Sequence, residues 1–167
     1  MRRFLALPVI LLLAAPAARA EEPHGCDKFA WDVTAAQKLL AGPAMPAGSE
    51  PADRTAGIAL SLSLVPFAEA KLERPPERAP RQAASFAGLV RFQPASEAGV
   101  YAISLDAGAW IDVIQDGAYL KPVAFTGALD CPHIRKSVRF RLGPGPFTLQ
   151  ISDVDTPTID LAVTPAD

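Results

Sequence analysis

The sequence predicts a mostly β protein: a single antiparallel β-sandwich, jelly-roll-like, with one short N-terminal helix. The second half of the chain is a series of short segments in which apolar and polar residues alternate. Turn signals such as Asp116-Gly117 separate these segments, and no helical pattern intervenes. Two cysteines, Cys26 and Cys131, stand near opposite ends of the chain, where a disulfide would close the fold.

Residues 1–20 have the pattern of a secretory signal peptide. Two arginines precede an apolar run from Phe4 to about Ala15, and Ala-Arg-Ala then precedes a polar stretch. This run is shorter than the roughly 20 residues that span a bilayer. The sequence therefore predicts cleavage after Ala20, a single mature domain over residues 21–167, a periplasmic or secreted location and no stable membrane span.

The charge balance excludes one class of partner. The predicted cleavage removes three arginines and no acidic residue, which leaves 13 basic and 18 acidic residues in the mature chain. A protein without a basic excess has little to neutralise phosphates with, so the composition predicts no nucleic-acid partner.

The N-terminal third carries the only helix signals. Asp32 or Thr34 can cap a short helix that runs through Leu40, and Gly42 with the following proline ends it. Residues 41–55 are rich in Pro, Gly, Ala and Ser, which predicts a loop.

A half-buried strand is predicted next, over residues 57–67. Its apolar face consists of Ile58, Leu60, Leu62 and Leu64. Residues 73–82, “ERPPERAPRQ”, are charged and proline-rich, and this composition predicts an exposed connector. A hinge or a partner-binding segment is the alternative.

Seven further strands are predicted from period-two alternation. Within them, apolar residues fall on one face at positions such as 101, 103 and 105, or 159, 161 and 163. The predicted strands cover residues 85–92, 99–106, 109–116, 119–127, 135–142, 146–153 and 158–164.

Histidines accompany both cysteines, as His24-x-Cys26 and Cys131-x-His133. In an exported protein the cysteine pair predicts a disulfide, which would stabilise the fold by roughly 4 to 5 kcal/mol in the chain-entropy model. A metal site is the alternative, either with thiolates in a tetrahedral zinc or copper centre or with His24 and His133 alone.

Arginines alternate along the predicted strand 135–142. Arg135, Arg139 and Arg141 share one face, while Val138, Phe140 and Leu142 share the core face with Lys136. Three guanidinium groups on one face can bind carboxylates or phosphates. The more conservative interpretation pairs them across strands with acids such as Asp112 or Asp160.

Trp110 and Asp112 share a face of the predicted strand 109–116, opposite Ile111 and Val113. An exposed Trp110 beside Asp112 would suit sugar stacking, although tryptophan is more often partly buried core.

Familiar catalytic motifs are absent from the sequence: it has no Gly-x-Ser-x-Gly elbow, no His-Glu-x-x-His and no phosphate-binding glycine loop. The prediction is therefore a non-catalytic binding or accessory module that requires no cofactor. Its partner would be a small anionic or sugar-like ligand, or another protein, bound at the arginine face or near Trp110. A metal-binding protein or metal-dependent enzyme that uses His24 and His133 is the alternative.

Two blocks of sequence, “CDKFAW” at 26–31 and a long run within 109–152, resemble a group of small exported proteins of Gram-negative bacteria. Some members of that group carry the label homogentisate 1,2-dioxygenase, which belongs to a much larger cupin whose iron is held by two histidines and a glutamate. Here His24 lies near the mature terminus, His133 stands beside a cysteine, and neither has a His-x-Glu-like motif. The resemblance therefore implies an exported protein rather than that activity. The C-terminal strands are also similar to small β-sandwich domains appended to secreted peptidases.

Overall fold

Eleven strands and one α-helix make up the part of the protein that the structure, a computed structural model, describes, residues 22–166. The predicted signal peptide lies outside these residues. The helix, α1, covers Thr34–Leu40, and single 3₁₀ turns cover Cys26–Lys28 and Phe67–Glu69. The strands are β1 (Met45–Pro46), β2 (Ala59–Ser63), β3 (Val65–Pro66), β4 (Phe86–Phe92), β5 (Gly99–Leu105), β6 (Trp110–Gln115), β7 (Ala118–Leu120), β8 (Ala124–Gly127), β9 (Lys136–Leu142), β10 (Phe147–Val154) and β11 (Thr158–Pro165).

These strands form two sheets in a sandwich-like arrangement. The first sheet has the order β1-β2-β11-β5-β9-β8 and the second has the order β3-β4-β10-β6-β7. Every strand pair is antiparallel except β1 with β2. The predicted mostly antiparallel β architecture with one short helix near the N-terminus is confirmed.

The hydrophobic core lies between the two sheets. Period-two alternation places the apolar face of each of the longer strands inward, and the rings of Phe92 and Phe147 stack with centroids 4.5 Å apart. The inward residues of the first sheet include Leu60, Leu62, Tyr101, Ile103, Leu105, Val138, Phe140, Leu142, Ile159, Leu161 and Val163, and those of the second include Val90, Phe92, Ile111, Val113, Phe147, Leu149 and Ile151.

Two predicted strands are each divided between the sheets. The segment 57–67 continues as β2 in the first sheet and β3 in the second, and the chain crosses at Leu64, whose N–H donates to Pro157 O. The segment 119–127 likewise becomes the end of β7 and then β8. The predictions of one strand for each segment are wrong here, because apolar alternation continues where the chain crosses between the sheets. The alternation does not show which sheet each half of the segment joins.

Helix α1 covers the outer face of the first sheet. Ala36 and Leu40 on the helix form a second apolar cluster with Ala59 and Ala162 on the strands. As a result, the middle of β11 is buried on both faces, and every residue from Leu161 to Val163 is buried.

Residues 73–82, hereafter the strap, lie across the outer face of the second sheet. The prediction of a solvated connector is wrong in one respect: the strap side chains are mostly exposed, but its backbone is hydrogen-bonded to buried side chains of β6 and β10. Polar residues can occupy this face because the strap supplies their partners.

A buried arginine closes one end of the sandwich. Arg54, in the predicted loop 41–55, is 1% exposed and lies over the ring of Tyr101 at 4.8 Å. Its guanidinium donates to Gly143 O at 2.9 Å and to Glu97 O at 2.7 Å. The guanidinium thus supplies hydrogen bonds to two backbone carbonyls at this end of the sandwich.

The predicted disulfide between Cys26 and Cys131 is confirmed, with a Cα–Cα distance of 4.8 Å. It fastens the N-terminal segment to the loop between β8 and β9. Gln37 of α1 adds a hydrogen bond from Nε2 to Pro132 O at 2.8 Å, which attaches the helix to the same corner. Within residues 22–166, no helix is long and apolar enough to cross a membrane.

Candidate functional site

The residues predicted to bind a ligand lie on both sheets. Trp110 and Asp112 are on β6 in the second sheet, whereas Arg139 and Arg141 are on β9 in the first, with Arg135 just before it. They do not form one continuous surface. One end of the sandwich nevertheless brings Trp110 close to the start of β9, because β6 and β9 both begin there.

Trp110 lies on the outer face of β6, and Ile111 and Val113 take the core face. Its indole Nε1 donates to Asp112 Oδ1 at 2.8 Å. The guanidinium carbon of Arg78 is 5.4 Å from the ring centroid, and Lys136 Nζ is 5.9 Å from it. The half-buried ring therefore interacts with two cations. This arrangement favours the binding of an anion near Trp110 over the stacking of a sugar on its ring.

Asp112 is almost fully buried beside this ring, with 3% of its surface exposed. Burial raises the pKa of its carboxyl group, against the opposing effect of hydrogen bonds from Trp110 and from the Glu77 N–H. The alternative in which Asp112 pairs with the arginines of β9 is wrong, because Asp112 belongs to the opposite sheet. Arg135 instead pairs with Glu22.

Lys136 is the least expected member of this group. It is in phase with the core residues of β9, and its ammonium reaches the end of the sandwich to donate to Ala109 O at 2.7 Å. Burial lowers the pKa of Lys136, and the positive charges of Arg78, Arg135 and Arg81 lower it further.

Two cations thus lie over Trp110, and the charges of Arg81 and Arg135 act on Lys136 beside it. We call Arg78, Arg81, Arg135 and Lys136 the cationic end. Among the described residues, ion pairs join Arg81 to Asp153, at 2.7 Å, and Arg135 to Glu22. Four positive charges therefore lie near two paired carboxylates and the buried carboxyl group of Asp112, in a chain whose composition is net negative. Such a local excess of positive charge attracts anions.

Asp153 holds the strap against this end. It is 5% exposed and has a positive φ of 60° at the irregularity in β10. Burial pushes its pKa up, but hydrogen bonds from the Arg81 side chain and backbone outweigh that effect, so the net pKa is lowered. Asp153 therefore stays ionised and positions Arg81.

Arg139 lies in a separate cleft on the outer face of the first sheet. Its guanidinium carbon is 4.4 Å from the centroid of Trp31. The cleft has a volume of about 80 Å³ and is also lined by Ser104 and Ser137, whose hydroxyls are 2.9 Å apart. Arg141 is exposed further along the strand. The alternating arginines therefore occupy three different environments.

The predicted histidine pair flanks the disulfide. His24 donates from Nδ1 to Asp130 Oδ2 at 2.6 Å, and His133 is exposed with a positive φ of 62°. Both sulfur atoms are in the disulfide, so thiolate ligation is not available in this state. Within residues 22–166, no group of three or more His, Cys, Asp or Glu side chains is arranged to hold a metal ion. Metal binding by His24 and His133 remains an untested prediction.

Three residues of the cationic end, Arg78, Arg81 and Lys136, were not among the predicted site residues. Lys136 carried a usable signal, since a lysine in phase with Val138 and Phe140 on a core face needs an explanation. Arg78 and Arg81 carried none, because their position depends on where the strap lies.

Comparison of the chain with protein-family models, curated proteins and solved structures finds no match.

Proposed function

We propose that this protein is an exported, non-catalytic binding module that holds a small anionic ligand at the cationic end. The observation that carries the proposal is the convergence of Arg78 and Lys136 on one tryptophan ring, with the charges of Arg81 and Arg135 acting on Lys136. Guanidinium groups bind carboxylates and phosphates through paired hydrogen bonds, and an ammonium adds a point charge.

Electrostatics supports a ligand of this charge. A partly buried ammonium next to three guanidiniums is in an unfavourable environment, as the lowered pKa of Lys136 records. An oxyanion placed between these groups would offset both the desolvation and the mutual repulsion. A neutral sugar would offset neither, so we favour a carboxylate or phosphate, including a sugar that carries an acid group.

Calorimetric titration of the mature chain, residues 21–167, tests the site. The probes are inorganic phosphate, citrate and galacturonate at low ionic strength, where charge interactions are least screened. We expect at least one of them to bind, and Lys136→Met and Arg78→Ala each to weaken that binding at least tenfold, or about 1.4 kcal/mol.

Arg141→Ala is the matched control, since it removes an exposed arginine of the same strand and should leave binding unchanged. Two results would contradict the proposal. One is the absence of binding by all three anions at millimolar concentration. The other is a loss of binding with Arg139→Ala and none with Lys136→Met, which would move the site to the cleft beside Trp31.

We also propose a periplasmic or secreted location. A disulfide persists in an oxidising compartment, which supports export together with the signal-peptide pattern of residues 1–20. Mass spectrometry of native protein should find an N-terminus at Glu21 and no free thiol. The resemblance to small exported proteins of Gram-negative bacteria belongs to the same proposal.

The sandwich is further proposed to be jelly-roll-like. The orders β2-β11-β5-β9 and β4-β10-β6-β7 support this, because the first long strand pairs with the last and the second with the one before it. Eight strands in two four-stranded sheets with this wrapping are typical of jelly rolls. A fold of this kind does not by itself imply a function.

A further inference from the structure

Gln150 binds the strap as a neighbouring strand would. Its side-chain Oε1 accepts from the Arg74 N–H at 3.0 Å, and its Nε2 donates to the Arg74 carbonyl at 3.0 Å. Both backbone groups of one strap residue are thus paired with a single amide that is 1% exposed. This contact depends on the strap backbone and not on which side chain the strap carries at this position.

Aromatic and acidic side chains of β7 and β6 bind the strap backbone just after Arg74. The Tyr119 hydroxyl donates to the Pro75 carbonyl, and Asp112 Oδ2 accepts from the Glu77 N–H at 3.3 Å. A phenol that donates to a proline carbonyl is the kind of contact that aromatic-lined surfaces make with extended proline-rich peptides.

Asp153 completes the series at the far end of the strap. It accepts from the Arg81 N–H at 2.8 Å and from the Arg81 Nε at 2.7 Å. This position is specific for a basic side chain, because the carboxylate binds both the backbone and the guanidinium.

The strap side chains are mostly directed to solvent. Only Pro76 and Pro80 are half-buried, and the other eight residues of the strap are exposed. A loop that served only to extend the core would bury apolar side chains. The sheet binds the strap through its backbone, two prolines and three arginines. Arg74 lies over Tyr119 and Arg78 lies over Trp110, while Arg81 pairs with Asp153. Contacts to backbone, proline and arginine are those by which a protein surface binds an extended basic peptide.

We propose that the outer face of the second sheet is a binding groove for extended proline-rich peptides, and that the strap occupies this groove in cis. The partner that fits is a proline-rich segment of another exported protein with an arginine placed to reach Asp153. The strap then competes with that partner as a tethered ligand at high effective concentration. This inference goes beyond the proposed anion site and needs no anion, although release of the strap would also remove Arg78 and Arg81 from the cationic end.

A labelled peptide with the sequence of residues 72–83 tests the groove. It is titrated by fluorescence anisotropy into the mature protein and into a variant whose residues 73–82 are replaced by an equally long Gly/Ser segment. We expect at least tenfold tighter binding to the variant, because the competing strap is gone. A scrambled peptide of the same composition should not bind.

Gln150→Ala in the Gly/Ser variant should weaken peptide binding at least tenfold. Gln93→Ala is the matched control, since Gln93 also donates to a backbone carbonyl, that of Pro51, but lies on the other end of the sandwich. Equal binding of the scrambled peptide, or no binding to a folded Gly/Ser variant at millimolar concentration, would overturn the proposal.

Native-state hydrogen exchange on the unmodified mature protein decides the question even if the Gly/Ser variant does not fold. The amides of Arg74, Glu77 and Arg81 should exchange through a local opening, faster than those of Leu149 and Ile151, and excess peptide should accelerate them. If these strap amides exchange only together with the core amides of β10, the strap is not separately released and the proposal fails.

Discussion

At the scale of single residues, the molecule departs from simple burial rules at two cations. Arg54 is enclosed at one end of the sandwich, where two carbonyls accept from its terminal nitrogens and its guanidinium lies over the ring of Tyr101, while its Nε has no hydrogen-bond partner among the described residues. Lys136 lies at the other end among like charges. The contacts of Arg54 explain a structural role for it. The environment of Lys136 instead opposes its charge, and perturbed groups of this kind are common at binding sites.

Lys136→Met should alter how stability depends on pH. The pKa of Lys136 is lowered from its ordinary 10.5, so the folded state binds fewer protons than the unfolded state between the lowered pKa and 10.5. The charged lysine therefore reduces stability at neutral pH, and this penalty is lost as pH rises through that window. As the pH rises through that window, the unfolding free energy of the unmodified protein should rise relative to that of the Lys136→Met variant.

Urea denaturation of both proteins at pH 7 and near pH 10 measures this difference, and titrations common to the two proteins cancel. Parallel pH profiles would show that the ammonium is not destabilised in the folded state.

At the scale of elements, a different kind of segment covers the outer face of each sheet. Helix α1 lies on the first sheet through apolar side chains, and the strap lies on the second sheet through backbone hydrogen bonds. Apolar contact is non-directional and favours a permanent cover. Hydrogen bonds to backbone can be exchanged for those of water or of another peptide at low net cost.

Leu40→Ala tests the importance of the helical cover. Leu40 is 6% exposed between α1 and the first sheet, so its truncation should destabilise the protein by about 2 to 5 kcal/mol. Lys38→Ala, an exposed position of the same helix, should change stability by less than about 0.5 kcal/mol. Thermal unfolding of both variants gives the comparison, and equal effects would mean that α1 contributes no packing energy.

At the scale of the whole molecule, the disulfide and the long-range pairing of strands act together. Cys26 and Cys131 are 105 residues apart, so the bond constrains nearly the whole unfolded chain. The paired strands are also distant in sequence, for β2 pairs with β11 and β4 with β10. Closing such long loops is entropically costly, and the disulfide reduces that cost before folding begins.

Replacing both cysteines, Cys26→Ser with Cys131→Ser, should lower the unfolding free energy by roughly 4 to 5 kcal/mol, the loop-entropy value for a closed loop of about 100 residues. Denaturant titration of the double variant against the oxidised protein measures it. A loss below about 1 kcal/mol would show that native strain or residual structure in the unfolded chain cancels the constraint.

The sequence by itself determined where the longer strands lie, which face of most of them enters the core, and which cysteines are joined. Alternation at Leu60 and Leu62 or at Phe140 and Leu142 is a local property that follows from the two-residue period of a strand. The disulfide followed from the even number of cysteines in a chain whose first 20 residues have the pattern of an export signal.

Only the tertiary structure decided where the polar side chains meet. Arg78, Trp110 and Lys136 come from the strap, β6 and β9, and no local pattern relates these three segments. The division of segments 57–67 and 119–127 between sheets and the position of the strap on Gln150 likewise depend on register across the whole sandwich. Contacts between residues far apart in sequence arise from packing and pairing that periodicity within one segment does not encode.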